Sequence, residues 1–424
     1  MTIGIAFIVG AFILFFAGLP IFSVIGLGAL AVGLISPAPI VDSLGMTAWA
    51  QSQNYVLISV PLFIMLGEIF VRSGIAGEMY DAVAPWLNKM PGRLMQTNVA
   101  TSAIFAATSG SSLATAATIG SIAVPQIKLH GYNERLFLGS IAAGGTLGIL
   151  IPPSINLIVY GSITNTSIPE LYLAGIVPGL ILTALFMLVT TILCILRPEW
   201  SGKPIETDWS MRIATLPKLL PPLGLFLVVV GSIYAGIATP TEAAALGVIA
   251  TVVLALVRGR MSFSILNSAL FATAKTNAIL MIIIIFAALL NFALGMIGFS
   301  RLLESFVLDL NLGTYALVLL VVLIYLILGC FLEGLSLTVL TVPVLAPIMA
   351  KLGFDPVWFG IMVILVTEAG LITPPVGMNC YVVQATRGRG SLMDVFIGVS
   401  PYLLALLTLV GIIIVWPEVA LWYR

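Results

Sequence analysis

The chain has 424 residues, of which 60% are apolar or aromatic and only 8% charged, and its mean hydropathy is +1.19. A water-soluble domain carries about 25% charged residues, so that class is excluded, and about 20 apolar residues per crossing leaves enough for around a dozen spans. Seventeen Lys and Arg balance seventeen Asp and Glu, which leaves no basic footprint for nucleic acid and no acidic tail.

The first twenty residues, MTIGIAFIVGAFILFFAGLP, lack a basic leader and carry a long apolar run, so the sequence predicts an uncleaved first helix. Further apolar runs follow near 55–71, 94–127, 136–160, 171–196, 219–238, 241–257, 276–298, 314–350, 357–386 and 395–416. The runs at 94–127 and 314–350 are interrupted. If each of these two leaves and returns on one side, fourteen of the seventeen basic residues face one side of the membrane. Only Arg301, Lys351 and Arg424 face the other. The bias of Lys and Arg toward the cytoplasm then places the N-terminus inside.

Length favours re-entrant hairpins over paired short spans. Arms of about fifteen residues reach about 22 Å, short of a hydrocarbon core about 30 Å thick. Their tips, Ser109-Gly110-Ser111-Ser112 and Glu333-Gly334-Leu335-Ser336, are small and polar, tolerable only where backbone is buried in protein or lines a wet cavity.

A shift of 222 residues lays 125–153 over 347–375, pairing Pro125 with Pro347, Gly131 with Gly353, Phe137 with Phe359, Gly148 with Gly370 and both Pro-Pro pairs. Each block follows a hairpin and ends in a break, GTLGILIPPS and EAGLITPPVG. The hairpins open to opposite sides, so the halves read as inverted repeats, 1–210 and 211–424. The expected class is an all-α, polytopic membrane protein with two re-entrant hairpins and broken helices.

Prolines free the carbonyls one turn earlier. With tip hydroxyls these make hard-oxygen shells of the kind sodium needs. A first sodium site is expected from Ser109, Ser111, Ser112, Gly145, Gly148, Ile151 and Pro153, and a second from Gly329, Gly334, Gly370, Thr373 and Val376. Half-helices starting at the tips point positive ends inward, where a carboxylate can be held, and Asn156, Thr338 and Asn379 are candidate substrate contacts. Glu333 and Glu368 lie in the same region; an intramembrane carboxylate is a functional candidate by default, and Glu368 joins the substrate candidates. Glu68 is expected near the cytoplasmic boundary. Thr239-Pro240-Thr241-Glu242 predicts a capping box opening a helix over 240–257.

Nothing points to an enzyme. His130 is expected in a solvated loop, Cys194, Cys330 and Cys380 as packing residues, and neither a phosphate-cradling GxxxxGK[ST] nor a nucleophile with its base is present. No cofactor is expected beyond sodium as coupling ion.

Together GIATPTEAAALG (236–247), SGSSLATAATIGSIAVP (109–125), GTLGILIPPS (145–154) and GLITPPVGMN (370–379), supported by VPLFIMLGEIF (60–70), resemble the large membrane subunit of tripartite ATP-independent periplasmic (TRAP) transporters over essentially the whole chain. The resemblance implies a sodium-driven, elevator-type carrier of organic acids in the bacterial inner membrane. Its moving domain would comprise both hairpins with 136–160 and 357–386. It also implies a small four-helix membrane subunit and a periplasmic substrate-binding protein as partners. The alternatives are a stand-alone anion carrier without binding protein and a non-transporting subunit of a membrane complex.

Overall fold

The computed structural model describes residues 10, 13–14, 17–35, 40–299, 301–303, 305 and 313–424. Most of the predicted first helix therefore lies outside the described residues. Seven helical segments among the described residues are long and apolar enough to cross a membrane, and four shorter apolar helices accompany them. Much of each long helix stays uncovered by the rest of the chain. Only 28% of the most apolar part of Ile168–Leu196 is buried, so lipid must cover its exposed Leu180, Leu188 and Ile195.

The first group comprises α1 (Ile21–Ile35), α2 (Ile40–Ser52), α3 (Ser59–Arg72) and α4 (Ile75–Leu87). The first hairpin follows as α5 (Leu94–Ser109) and α6 (Ser112–His130), then α7 (Glu134–Thr146), a break, α8 (Ile155–Thr164) and α9 (Ile168–Leu196). Next come α10 (Trp209–Tyr234), loosened by a π turn over Leu227–Gly231, α11 (Pro240–Val257) and α12 (Phe263–Met296). The second hairpin, α13 (Thr314–Gly329) and α14 (Gly334–Lys351), leads to α15 (Pro356–Leu371), a break, α16 (Met378–Arg387) and α17 (Leu392–Val415).

The halves repeat in detail. The hairpin arms have 16 and 19 residues in the first half and 16 and 18 in the second, and each break is followed by a helix of 10 residues. Gly131 and Gly353 end their hairpins at φ +67° and +87°, where a side chain would be strained. Two residues later Asn133 and Asp355 cap α7 and α15, their side-chain oxygens accepting from Leu136 N and from Val357 N and Trp358 N. The repeats also interlock. The returning arm α14 packs on α8, and its counterpart α6 packs on α16.

Two expectations need correction. The returning arms α6 and α14 have 19 and 18 residues, longer than the fifteen expected, and hold Pro125 and Pro343 and Pro347 inside continuous helices. At 18 residues, or about 27 Å, α14 is long enough to count among the seven. For the same reason His130 is the last residue of α6 and not part of a loop. Its ring stands edge-on to Tyr132 and its carbonyl accepts from Lys203 N at 2.7 Å. The capping box at α11 is present in full. Thr239 Oγ1 accepts from Glu242 N at 3.3 Å, and Glu242 Oε2 accepts from Thr239 N at 2.8 Å. All three cysteines are buried and free.

The first group and the hairpins meet along two seams. α12 packs on α1, α2 and α3, and α11 on α3. From this frame α3 reaches α5 and α12 reaches α14. The opposite body closes on itself through α7 and α17, whose backbones cross at Gly139 and Gly398; a Cβ on Gly139 would stand 2.1 Å from Gly398 O. Ion pairs knit its basic face. Arg135 and Arg387 both pair with Asp394, at 2.9 and 3.2 Å, and Arg387 and Arg389 with Glu134, at 3.1 and 2.6 Å. On the other face the guanidinium of Arg424 joins Glu170 at 2.8 Å and also Asp355, and these hydrogen bonds hold its pKa above the usual arginine value.

Candidate functional site

The tip of the first hairpin is built from hydroxyls. Gly110 adopts φ +61° to close α5, and Ser111 caps α6 by accepting from Ala114 N at 3.4 Å. Thr115 Oγ1 donates to Ser111 O at 2.7 Å and shares a 2.9 Å hydrogen bond with Ser109 Oγ. The first break lies against this tip. A Cβ on Gly148 would stand 2.6 Å from Ser111 O, and one on Gly110 would stand 2.8 Å from Pro153 O. A Cβ on Gly145 would meet Ser112 O at 3.2 Å. Ser109, Ser111, Ser112, Gly145, Gly148 and Pro153 therefore come together. The Ile151 side chain turns to Gly179 of α9.

At the second tip Glu333 is the N-cap residue of α14, and its Oε2 accepts from Ser336 Oγ at 3.2 Å. The second break docks here in turn: Gly377 N donates to Cys330 O at 3.4 Å, and Gly370 lies directly against Gly329. Within the break, the Gly370 carbonyl accepts from Thr373 N at 3.0 Å and Thr373 Oγ1 donates to Ala369 O at 2.6 Å. Val376 is half-buried. Each break is thus seated on the tip of its own repeat. Both Pro-Pro bonds are cis.

A cavity of about 410 Å³ opens between the two tips, within the range of small-molecule sites. Ser109 to Ser112 form one side and Glu333 to Leu335 the other. Asn156 stands between them, its Nδ2 unpartnered and close to the position a Cβ on Gly334 would take. The remaining wall comes from the frame, through Gly67 and Glu68 of α3 and Thr276 and Leu280 of α12. Glu68 therefore belongs to the cavity, where it accepts from Arg72 Nε at 2.9 Å. Its i,i+4 spacing to Arg72 was readable, but the helix face it occupies was not. Thr118 of α6, which also lines the cavity, and Thr276 had no local signal.

Thr338, Asn379 and Glu368 stand outside the cavity lining, fully buried in the body behind it. Thr338 Oγ1 donates to Gly334 O at 2.9 Å, within its own helix. Asn379 Nδ2 lies 3.2 Å from the Gly145 Cβ position, while its Oδ1 has no partner. Glu368 faces the Ser112 hydroxyl, yet neither carboxylate oxygen completes a hydrogen bond.

The family model for the tripartite ATP-independent periplasmic transporter, DctM component, matches residues 8–419. The chain is 36% identical over 397 residues to the C4-dicarboxylate TRAP transporter large permease protein DctM of Pseudomonas aeruginosa, covering 93% of this chain and 92% of that protein. It is 30% identical to the sialic acid TRAP transporter large permease protein SiaM of Vibrio cholerae, covering 96% and 95%. It is 33% identical to the ectoine TRAP transporter large permease protein TeaC of Halomonas elongata, covering 87% and 86%. Among solved structures, the YdaH transporter of Alcanivorax borkumensis superimposes with a TM-score of 0.65 at 17% identity, covering 89% of each chain, a likeness of fold.

Proposed function

Since this chain belongs to the DctM component family of tripartite ATP-independent periplasmic transporters, we propose that it is a sodium-coupled permease for an organic acid, working by an elevator movement in the bacterial inner membrane. A transporter component of this kind is not an enzyme. The observation that carries the proposal is the convergence of both hairpin tips on one cavity whose far wall belongs to the frame. A substrate held there touches two bodies at once. Displacing the hairpins along α3 and α12 carries it from one side of the membrane to the other.

Sodium fits the chemistry of the tips. Serine hydroxyls and break carbonyls lie together around Ser111 and Gly148, without a lysine or arginine in the cavity lining. Ser109, Ser111, Ser112, Gly145, Gly148, Ile151 and Pro153 form the proposed first site, and Gly329, Gly334, Gly370, Thr373 and Val376 the second. The relatives named for C4-dicarboxylates and for sialic acid both handle carboxylates, which supports that substrate class, with Asn156 as the nearest free donor. The family also supports the partners, a small four-helix membrane subunit and a periplasmic binding protein that delivers the substrate. The moving body comprises both hairpins with 136–160 and 357–386, and the basic face with the N-terminus lies in the cytoplasm.

Reconstitution in liposomes with both partners tests this. Uptake of the binding protein's organic acid is expected only under an inward sodium gradient, and Ser112→Ala and Thr373→Ala should raise the sodium concentration for half-maximal uptake. Uptake indifferent to sodium but tracking a proton gradient overturns the coupling. Full uptake without binding protein favours a stand-alone carrier, and no solute movement at all a non-transporting subunit.

A further inference from the structure

The register that relates the two halves pairs Ser111 with Glu333, and each is the N-cap residue of the returning arm of its hairpin, with extended backbone. The repeats agree here in conformation and differ in charge. Ser111 is neutral, and its Oγ accepts from Ala114 N at 3.4 Å. The N–H groups of Ser112 and Leu113, the first of α6, have no acceptor within the helix, and both residues line the cavity. Such a helix start favours an anion. At α14 the chain fills that place itself, because Glu333 Oε2 accepts from Ser336 Oγ at 3.2 Å and so holds the carboxylate over the first turn.

Glu68 and Glu333 are the charged residues that line the cavity among the described residues, and both are acidic. Glu68 is neutralised by Arg72 at 2.9 Å. No lysine, arginine or histidine pairs with Glu333 among the described residues. Asn156 is an independent sign of a bound group. It lines the same cavity, is 2% exposed, and its Nδ2 has no acceptor. A buried amide donor left unpaired is costly, and an acceptor on a bound solute satisfies it. The cavity therefore offers donors at Asn156 and the α6 start, and one uncompensated carboxylate at the second tip.

We infer that the solute is a zwitterion, a small acid with one carboxylate and one cationic nitrogen, its carboxylate held by Asn156 Nδ2 and the start of α6 and its cation facing the Glu333 carboxylate. Asn156 Nδ2 lies 2.8 Å from the Gly334 Cβ position, beside Glu333, so both ends of a short molecule reach their partners. A second carboxylate in place of the cation would face like charge between largely apolar walls. The inference rests on the organic-acid reading and narrows its class.

Butyrate, succinate and 4-aminobutyrate test it, since they share a four-carbon chain and differ in whether the far end is a methyl, a carboxylate or an ammonium group. Isothermal titration of each into the purified full chain in nanodiscs, at saturating sodium, reads the affinities. 4-Aminobutyrate is expected to bind at least about tenfold more tightly than succinate, with butyrate between them. Glu333→Gln should bring 4-aminobutyrate and succinate to within about threefold of each other. Glu333→Ser, which copies the neutral cap of the first tip, should do the same and serves if the glutamine variant does not fold. Asn156→Ala should weaken all three probes alike. Succinate binding to the wild type as tightly as 4-aminobutyrate overturns the inference and leaves the organic-acid reading standing, as does a preference that survives loss of the Glu333 charge. A wild-type chain that takes none of the three overturns the organic-acid reading as well.

Discussion

Gly329 and Gly370 meet backbone to backbone: a Cβ on Gly370 would stand 2.6 Å from Gly329 Cα, and one on Gly329 would stand 3.0 Å from Gly370 Cα. This contact joins the end of α13 to the end of α15, where the second tip meets its break. Gly370→Ala must push the two helices apart, with an expected loss of about 1–3 kcal/mol. Thermal unfolding of the purified protein in detergent reads this directly, and sodium dependence of uptake should weaken in parallel.

Gly67 of α3 faces the first tip at a looser distance, its Cβ position 3.5 Å from Ser109 Cα. That is ordinary contact, so Gly67→Ala should leave uptake near wild type. Gly67→Leu fills the seam between frame and hairpin. It should reduce uptake by about tenfold or more, on the order of 1.4 kcal/mol in barrier, while sodium binding to the purified chain persists. Loss of both together would mean that the substitution had damaged the tip itself.

The caps of the two repeats offer a paired measurement. Asn133→Ala removes one acceptor from the start of α7 and should cost about 1 kcal/mol. Asp355→Ala removes an acceptor that serves two backbone N–H groups and also releases Arg424, so about 2 kcal/mol is expected. Denaturant titration in mixed micelles should place the second variant below the first.

Arg387 has a side chain only 5% exposed and holds Glu134 and Asp394 together across three helices. Arg387→Ala removes the cation the two carboxylates share, while Arg135 still pairs with Asp394 and Arg389 with Glu134. Because both partners stay partly exposed, the expected loss is on the order of 2 kcal/mol and not the full cost of a buried pair. A double-mutant cycle with Asp394→Asn should return a coupling of roughly 1 kcal/mol.

The features readable from the chain were those encoded within a few residues. Thr239 and Glu242 specify a helix start, Gly110 a tip, and the two Pro-Pro pairs a break, since each acts through its own backbone. The 222-residue register added the repeat, and Gly131 and Gly353 bear it out in their shared left-handed backbone. Prolines 125, 343 and 347 stand inside continuous helices and mark the end of neither arm. Which face a residue presents was hidden for a different reason. Glu368 sits on a helix that is apolar nearly all round, and such a helix gives no periodic signal to orient it. The cavity wall from Thr276 and Leu280 depends on how α12 lies against α14, a long-range fact.

The glycine crossing of α7 and α17 has a mechanical consequence. With Gly139 pressed on the carbonyl of Gly398, and Gly398 in turn on that of Arg135, each backbone fills the notch of the other. Neither helix can creep along its partner, because the next residue in either direction would bring a side chain into a gap that admits none. The two helices come from opposite repeats, so the crossing acts as a rivet between them. A load applied to either tip is passed to the whole body, and any travel it undergoes is travel as a single piece.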